Sequence, residues 1–347
     1  MAVDHGDMNP AAAPSRSTAA RRAWRRPLAA LARTTLTESM QQPAVLLLTL
    51  GGVVATAFIP LLQFHEFGEP GRLARDGALA YQLTLGLVLA VAAASAAIQR
   101  EIAGGTASAA LSKPLPRDAF VAGKFLGVAG MLLHFWYALL AAMLIAERVA
   151  YRVAGTDGEP VGATDSRAQA FLLLAVPLAL AVAGLLHNRR RARFGIAALR
   201  GLQAILTLGL LAAFGFDRLG AWRPAADNLD LRLVPVSLLI LAALTLFAAL
   251  ATALSTRLKG GATLVVCSLV LALGLAADPL LAPSRPLPAR LAAHLLPNVQ
   301  SFWLCDALTG GGSLPLSYVG GACAYAAAWS LAALALGMLA FRHCDIH

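Results

Sequence analysis

Eight apolar runs divide this chain, near 44–62, 78–98, 124–146, 168–186, 202–216, 233–254, 262–281 and 318–341. Most approach the roughly twenty residues with which an α-helix crosses about 30 Å of hydrocarbon. Backbone N–H and C=O groups find no partner in lipid, so such runs are viable only as helices or in a closed barrel, and runs of this length point to helices. Composition agrees. Of 347 residues, 59% are hydrophobic and 13% charged, where a soluble domain carries roughly 25% charged residues. Mean hydropathy is +0.69. The expected fold is all-α: a polytopic transmembrane helical bundle of about eight spans, with both termini cytoplasmic. The fifth run is short and is expected to borrow Ile196 to Gly201, with Arg200 snorkelling to the interface. Six spans are the alternative if 168–216 does not cross, and the parity is the same.

Charge tests this topology. With the N-terminus inside, the segments 1–43, 99–124, 187–200, 255–261 and 342–347 hold 18 of the 28 Lys and Arg residues and 6 of the 18 acids. All three lysines, Lys113, Lys124 and Lys259, fall there. This is the asymmetry of the positive-inside rule, and it accounts for the net charge of +10 without invoking nucleic acid. The first apolar run starts near Ala44, too far in for a signal peptide. Arg16 to Arg33 has the Arg- and Ala-rich character of a transit peptide, against which Asp4 and Asp7 stand.

Residues 1–20 read as a disordered tail. Over 21–43, Trp24, Leu28, Leu31, Thr35 and Met40 recur at near-helical spacing between Arg22, Arg25, Arg26 and Arg33. This predicts an amphipathic interface helix, or more simply a basic flank that orients the first span. The transmembrane domain covers 44–341. It includes an outer loop, 282–317, in which Ala289 to Leu296 can form a short amphipathic helix and Phe302 and Trp303 suit the aromatic belt.

Catalytic signatures are lacking. The four cysteines form no CxxC pair, and there is no HExxH or GxSxG. Gly123-Lys124 is followed by Phe125, and no glycine stands five residues before it, so the phosphate cradle of a Walker A loop is missing. The chain is therefore not expected to be an enzyme or to bind a cofactor or metal itself. His134 lies within a span and has no acidic partner there, so a hydrogen-bonded structural role is expected. Glu147 and Asp278 fall at outer span ends, where capping or solvation suffices. Arg189-Arg190-Arg191 reads as a topology anchor, with anionic lipid headgroups as the sharper alternative.

The segment 99–123 is the most informative polar stretch. Arg100-Glu101 closes the second span. Gly104-Gly105 breaks the helix, and Thr106 offers an N-cap for about two turns ending at Ser112. Lys113-Pro114-Leu115-Pro116-Arg117 stops it, and Asp118 can cap the next helix. An ordinary positively charged loop is the plainer reading. Gly123-x-x-x-Gly127 permits close helix contact with a partner that the pattern leaves unnamed.

In these residues the chain resembles the ABC-2 type permease family, the membrane subunits of ATP-binding-cassette transporters, including its NosY-like branch. The resemblance rests on Arg100-Glu101, Gly105-Thr106, Leu111-Ser112-Lys113-Pro114, Arg117 and Gly123-Lys124-Phe125-Leu126-Gly127. It extends to the N-terminal amphipathic helix, to Ala253-Leu254-Ser255-Thr256-Arg257, and to the stretch from Leu296 to Phe302. Residues 147–232 match poorly, and six spans are usual in the family. The resemblance implies a permease subunit driven by a separate nucleotide-binding ATPase subunit, which would hold the ATP and Mg. A second permease chain, identical or different, would complete the path. Residues 101–118 would form the coupling helix. Arg100, Glu101, Lys113 and Arg117 would contact the ATPase, and Gly105 and Pro114 would fix the helix ends. The location implied is a bacterial inner membrane, among its lipids, and export is favoured over import. The substrate and its binding residues stay open. The rivals are an ATP-independent carrier, a membrane-embedded enzyme and a non-transporting assembly or anchoring subunit.

Overall fold

The computed structural model describes residues 16–62, 71–103, 117–150, 165–217, 220–224, 228–276 and 296–342. Among these residues the architecture is all-helical, with one isolated bridge between Phe216 and Trp222. The helices are α1 (Arg16–Met40), α2 (Pro43–Phe58), α3 (Arg72–Ala103), α4 (Arg117–Ala150), α5 (Ser166–Arg190), α6 (Phe194–Gly215), α7 (Leu233–Leu254), α8 (Gly260–Leu275) and α9 (Leu316–Arg342). Each apolar run of the sequence falls largely on one of these helices, with residues 277–281 of the run at 262–281 outside the described residues. α1 begins at Arg16, ahead of the boundary expected at Arg21, where two alanines favour helix. Pro43 opens α2 at its first turn, where its missing N–H costs nothing. A 3-10 turn, Ile59–Leu62, prolongs that helix over Pro60.

Seven helices are long and apolar enough to cross a membrane: α2 with its 3-10 extension, α3 to α7, and α9. The expected run at 202–216 does extend upstream, to Phe194, and α5 and α6 both have spanning length. The run at 262–281 differs from expectation. α8 ends at Leu275 after 16 residues, about 24 Å at 1.5 Å per residue, short of the ~30 Å of hydrocarbon. By length, then, the described residues hold seven candidate spans and one shorter apolar helix. Residues 1–15 and residues 289–295 of the expected helix at Ala289 to Leu296 lie outside the described residues, as does Asp278.

α3, α4 and α7 form the centre of the bundle, while α5, α6 and α9 are peripheral. Polar ties join the helices. Ser237 Oγ donates to Gln82 Oε1 at 2.8 Å, and Trp136 Nε1 donates to Ser237 O at 2.9 Å. Gln169 Nε2 donates to Ala57 O at 2.9 Å. His134 is tied to α6: its Nδ1 lies 2.9 Å from Gln203 Nε2, which also donates to His134 O at 3.1 Å. One turn on, the hydroxyls of Tyr137 and Thr207 are 2.5 Å apart. Interhelical bonds of this kind contribute roughly 0.6–2 kcal/mol each in hydrocarbon.

Charge collects at two ends, here called base and top. Around the base lie Arg100, Glu101, Lys124, Arg257 and Lys259. Asp76, Glu147, Asp165, Asp217 and Asp306 lie at the top. The Arg72 guanidinium spans Asp76 and Asp306, each at 3.3 Å. Glu147 is 8% exposed and packs against Gly71, whose φ is +82. Of the two roles expected for it, capping or solvation, its burial removes full solvation.

Candidate coupling surface at the base of the bundle

α3 and α4 contain 32 and 34 residues, about 48 and 51 Å at 1.5 Å per residue. Both exceed what hydrocarbon requires. The C-terminal end of α7 marks where they begin to project. There Ser255 Oγ lies 2.9 Å from Ser95 Oγ, and Gln99 Nε2 donates to Leu258 O at 2.7 Å. Beyond this level come Arg100 and Glu101 on α3 and the first turns of α4.

The projecting ends are locked together. Lys124 Nζ forms a hydrogen-bonded ion pair with Glu101 Oε1. The Lys124 side chain is 1% exposed and that of Glu101 is 22% exposed. The same ammonium lies 5.6 Å from the ring centroid of Phe120, one turn back on α4, within cation–π range. Phe120 stacks on Phe341 of α9 with centroids 5.6 Å apart and planes 12° from parallel. Ile98, Val121 and Leu334 pack around them. Arg257 Nη2 donates to Ala340 O at 2.7 Å, satisfying one of the last carbonyls of α9. A buried ammonium survives at this point because a carboxylate and an aromatic face replace its water.

α1 lies alongside the same region. A Cβ on Gly123 would stand 2.7 Å from Leu31 Cδ2. On Gly127 it would stand 2.5 Å from Thr35 Cβ and 2.8 Å from Ala32 O. Leu36 follows beside Gly130. The numbers advance together along both helices, so α1 runs beside α4 in the same chain direction. The glycines let the two backbones approach as GxxxG patterns do, and the partner is a helix of this same chain.

The residues singled out by sequence divide into three groups. Glu101 and Lys124 meet each other, and Gly123 lies under Leu31. Arg100 stays exposed, with its Nε donating to Ala96 O at 2.9 Å. Arg117 opens α4, and Asp118 lies in its first turn, where a carboxylate complements the helix dipole. Gly105, Thr106, Leu111, Lys113 and Pro114, with the expected helix from Thr106 to Ser112, lie outside the described residues. Sequence reasoning missed Phe120 and Phe341. The first had a signal, an aromatic four residues before a lysine on one helix face. The second had none, because α9 arrives from more than two hundred residues away.

The ion pair at the top was also missed. Arg148, 3% exposed, donates from Nε to Asp165 Oδ2 at 2.8 Å and from Nη2 to Phe216 O at 3.0 Å. Its Nη1 donates to Ala213 O. Asp165 also caps α5, accepting from Ala168 N at 3.0 Å. Nearby, the Cys305 thiol pKa is raised above its ordinary value, mainly by burial and further by Asp76 and Asp306. Among the described residues no group of three or more His, Cys, Asp or Glu side chains could hold a metal ion. No family model, curated protein or solved structure matches the chain.

Proposed function

We propose that this chain is the membrane-spanning permease subunit of an ATP-binding-cassette transporter, an exporter driven through residues 101–118 by a separate ATPase subunit. The observation that supports this most directly is the locked base. The helices that lead into and out of segment 104–116 are pinned to each other by Glu101–Lys124, to α9 by Phe120–Phe341, and to α1 by the glycine seam. A force applied to that segment therefore reaches four helices as one body. A partner whose nucleotide state changes its grip on the segment would bias the bundle between two arrangements, in proportion to its differential binding energy. In this reading a second permease chain completes the path.

Lys113 and Arg117 are the residues to test, because replacing Glu101 or Lys124 would also break the ion pair between them. Charge reversal at Lys113 or Arg117 is expected to uncouple nucleotide hydrolysis from transport in the reconstituted complex while membrane insertion stays intact. Unchanged coupled transport in both variants overturns the reading, as does cargo movement by the purified chain without any nucleotide-hydrolysing companion.

A further inference from the structure

At the top of the bundle, α4, α5 and α6 enclose a cavity of about 340 Å³, within the ~300–1,000 Å³ typical of small-molecule sites. Its chemistry is graded. Arg148, Asp165, Arg167 and Asp217 line one end, while Ile145, Phe171 and Gly209 line the other. Gly209 and Asp217 are eight residues apart on α6 and the turn after it, about 12 Å at 1.5 Å per residue. The cavity is therefore polar at the helix termini and apolar about two turns inside. Two glycines shape it. A Cβ on Gly209 would stand 2.1 Å from Phe171 Cε1, so the bare backbone lets the ring lie as a floor. Gly220 has φ +88, and a Cβ there would stand 2.0 Å from Arg167 Nη1, so glycine makes room for the guanidinium. Ala212 and Phe216 line the cavity and are also exposed at the bundle surface, so it opens outward.

We infer that this cavity holds one acyl chain of a zwitterionic phospholipid from the surrounding bilayer, with the headgroup beside Arg167 and Asp217. The deep wall offers no hydrogen-bond partners to water, and a water needs two to four of them. Left empty, the lining atoms would lose their dispersion contacts. An acyl chain satisfies both conditions. The outer faces of the same two helices present Leu174, Leu178, Leu208 and Leu211 to the surroundings, so hydrocarbon lies at the entrance. The head follows from the rim, where the described residues include two arginines and two aspartates, charges of both signs that a zwitterionic head complements. Arg148 and Asp165 are engaged with each other and with backbone groups, and Asp217 Oδ1 accepts from Ala221 N at 2.8 Å, so the rim presents fixed charges of both signs to a head that carries both.

The test uses the full chain in phosphatidylcholine nanodiscs doped with a phosphatidylcholine that carries a diazirine on its acyl chain. After irradiation and digestion, residue-level fragmentation of the labelled peptides is expected to place label on Ile145 and Phe171. Ala212→Trp, which fills the cavity, is expected to lose that label and to keep label at Leu174 and Leu178. Leu211→Trp, on the outer face, is expected to keep both. Ala168→Leu fills the cavity from α5 and serves if the tryptophan variant fails to elute as the wild type does. Label at Ile145 and Phe171 that survives both filling variants overturns the inference. So does a cross-link showing residues 151–164 inside the cavity. Preferential labelling by a phosphatidylglycerol probe overturns the zwitterionic head.

Discussion

Lys124 shows what a single residue at the base contributes. Removing Glu101 alone strands a buried ammonium, and breaking a buried pair costs about 3–5 kcal/mol. Glu101→Ala is therefore expected to lower stability strongly in a detergent thermal melt, whereas the double replacement Glu101→Met with Lys124→Met recovers most of the loss. Equal losses in the single and double variants would refute the pairing. Cys305 gives a second prediction at this scale. Burial beside Asp76 and Asp306 raises its pKa, so the neutral thiol dominates to higher pH than in an unfolded chain. The thiolate is the nucleophile, so Cys305 is expected to resist alkylation near pH 8 until the protein is denatured. Rapid modification of the native protein, read by peptide mass spectrometry, would count against the described packing.

Two elements carry consequences of their own. The α1–α4 seam depends on Gly127, where any side chain meets Thr35 and a backbone oxygen. Overpacking of this kind costs about 1–3 kcal/mol. Gly127→Leu is expected to release α1 and to make its backbone at Arg33 a substrate for limited trypsin digestion while the rest of the bundle stays protected. Identical digestion patterns for variant and wild type would reject the seam. The α5–α6 turn depends on Arg191, which caps α5 with φ +50. A left-handed conformation costs a non-glycine residue roughly 1–2 kcal/mol. Arg191→Gly is accordingly expected to raise the melting temperature, and a lowered one would show that the arginine side chain outweighs its backbone strain.

For the whole molecule, the grouping of charge at two ends yields a topology prediction. Cysteines placed at Arg190 and Asp217 are expected to react with a membrane-impermeant maleimide from opposite sides, with Arg190 on the side of the base. Reaction from one side alone would mean that α5 and α6 do not cross, the six-span arrangement.

Much of this plan was legible in the sequence, and the reason is local. Twenty apolar residues impose a helix wherever backbone groups lack water, so the runs, the charge asymmetry and the closing of the second span at Arg100-Glu101 could be read directly. Gly123-x-x-x-Gly127 announced a close contact but not its partner, because a glycine pattern specifies distance and carries no address. Tertiary structure alone decided that this partner is α1, that Phe341 stacks on the ring beneath Lys124, and that Arg148 finds Asp165. It also decided that α5 and α6 leave a cavity between a charged rim and the Phe171 ring. Each of these joins residues far apart in the chain, and which face of one helix meets which face of another depends on side-chain shape summed over the whole bundle.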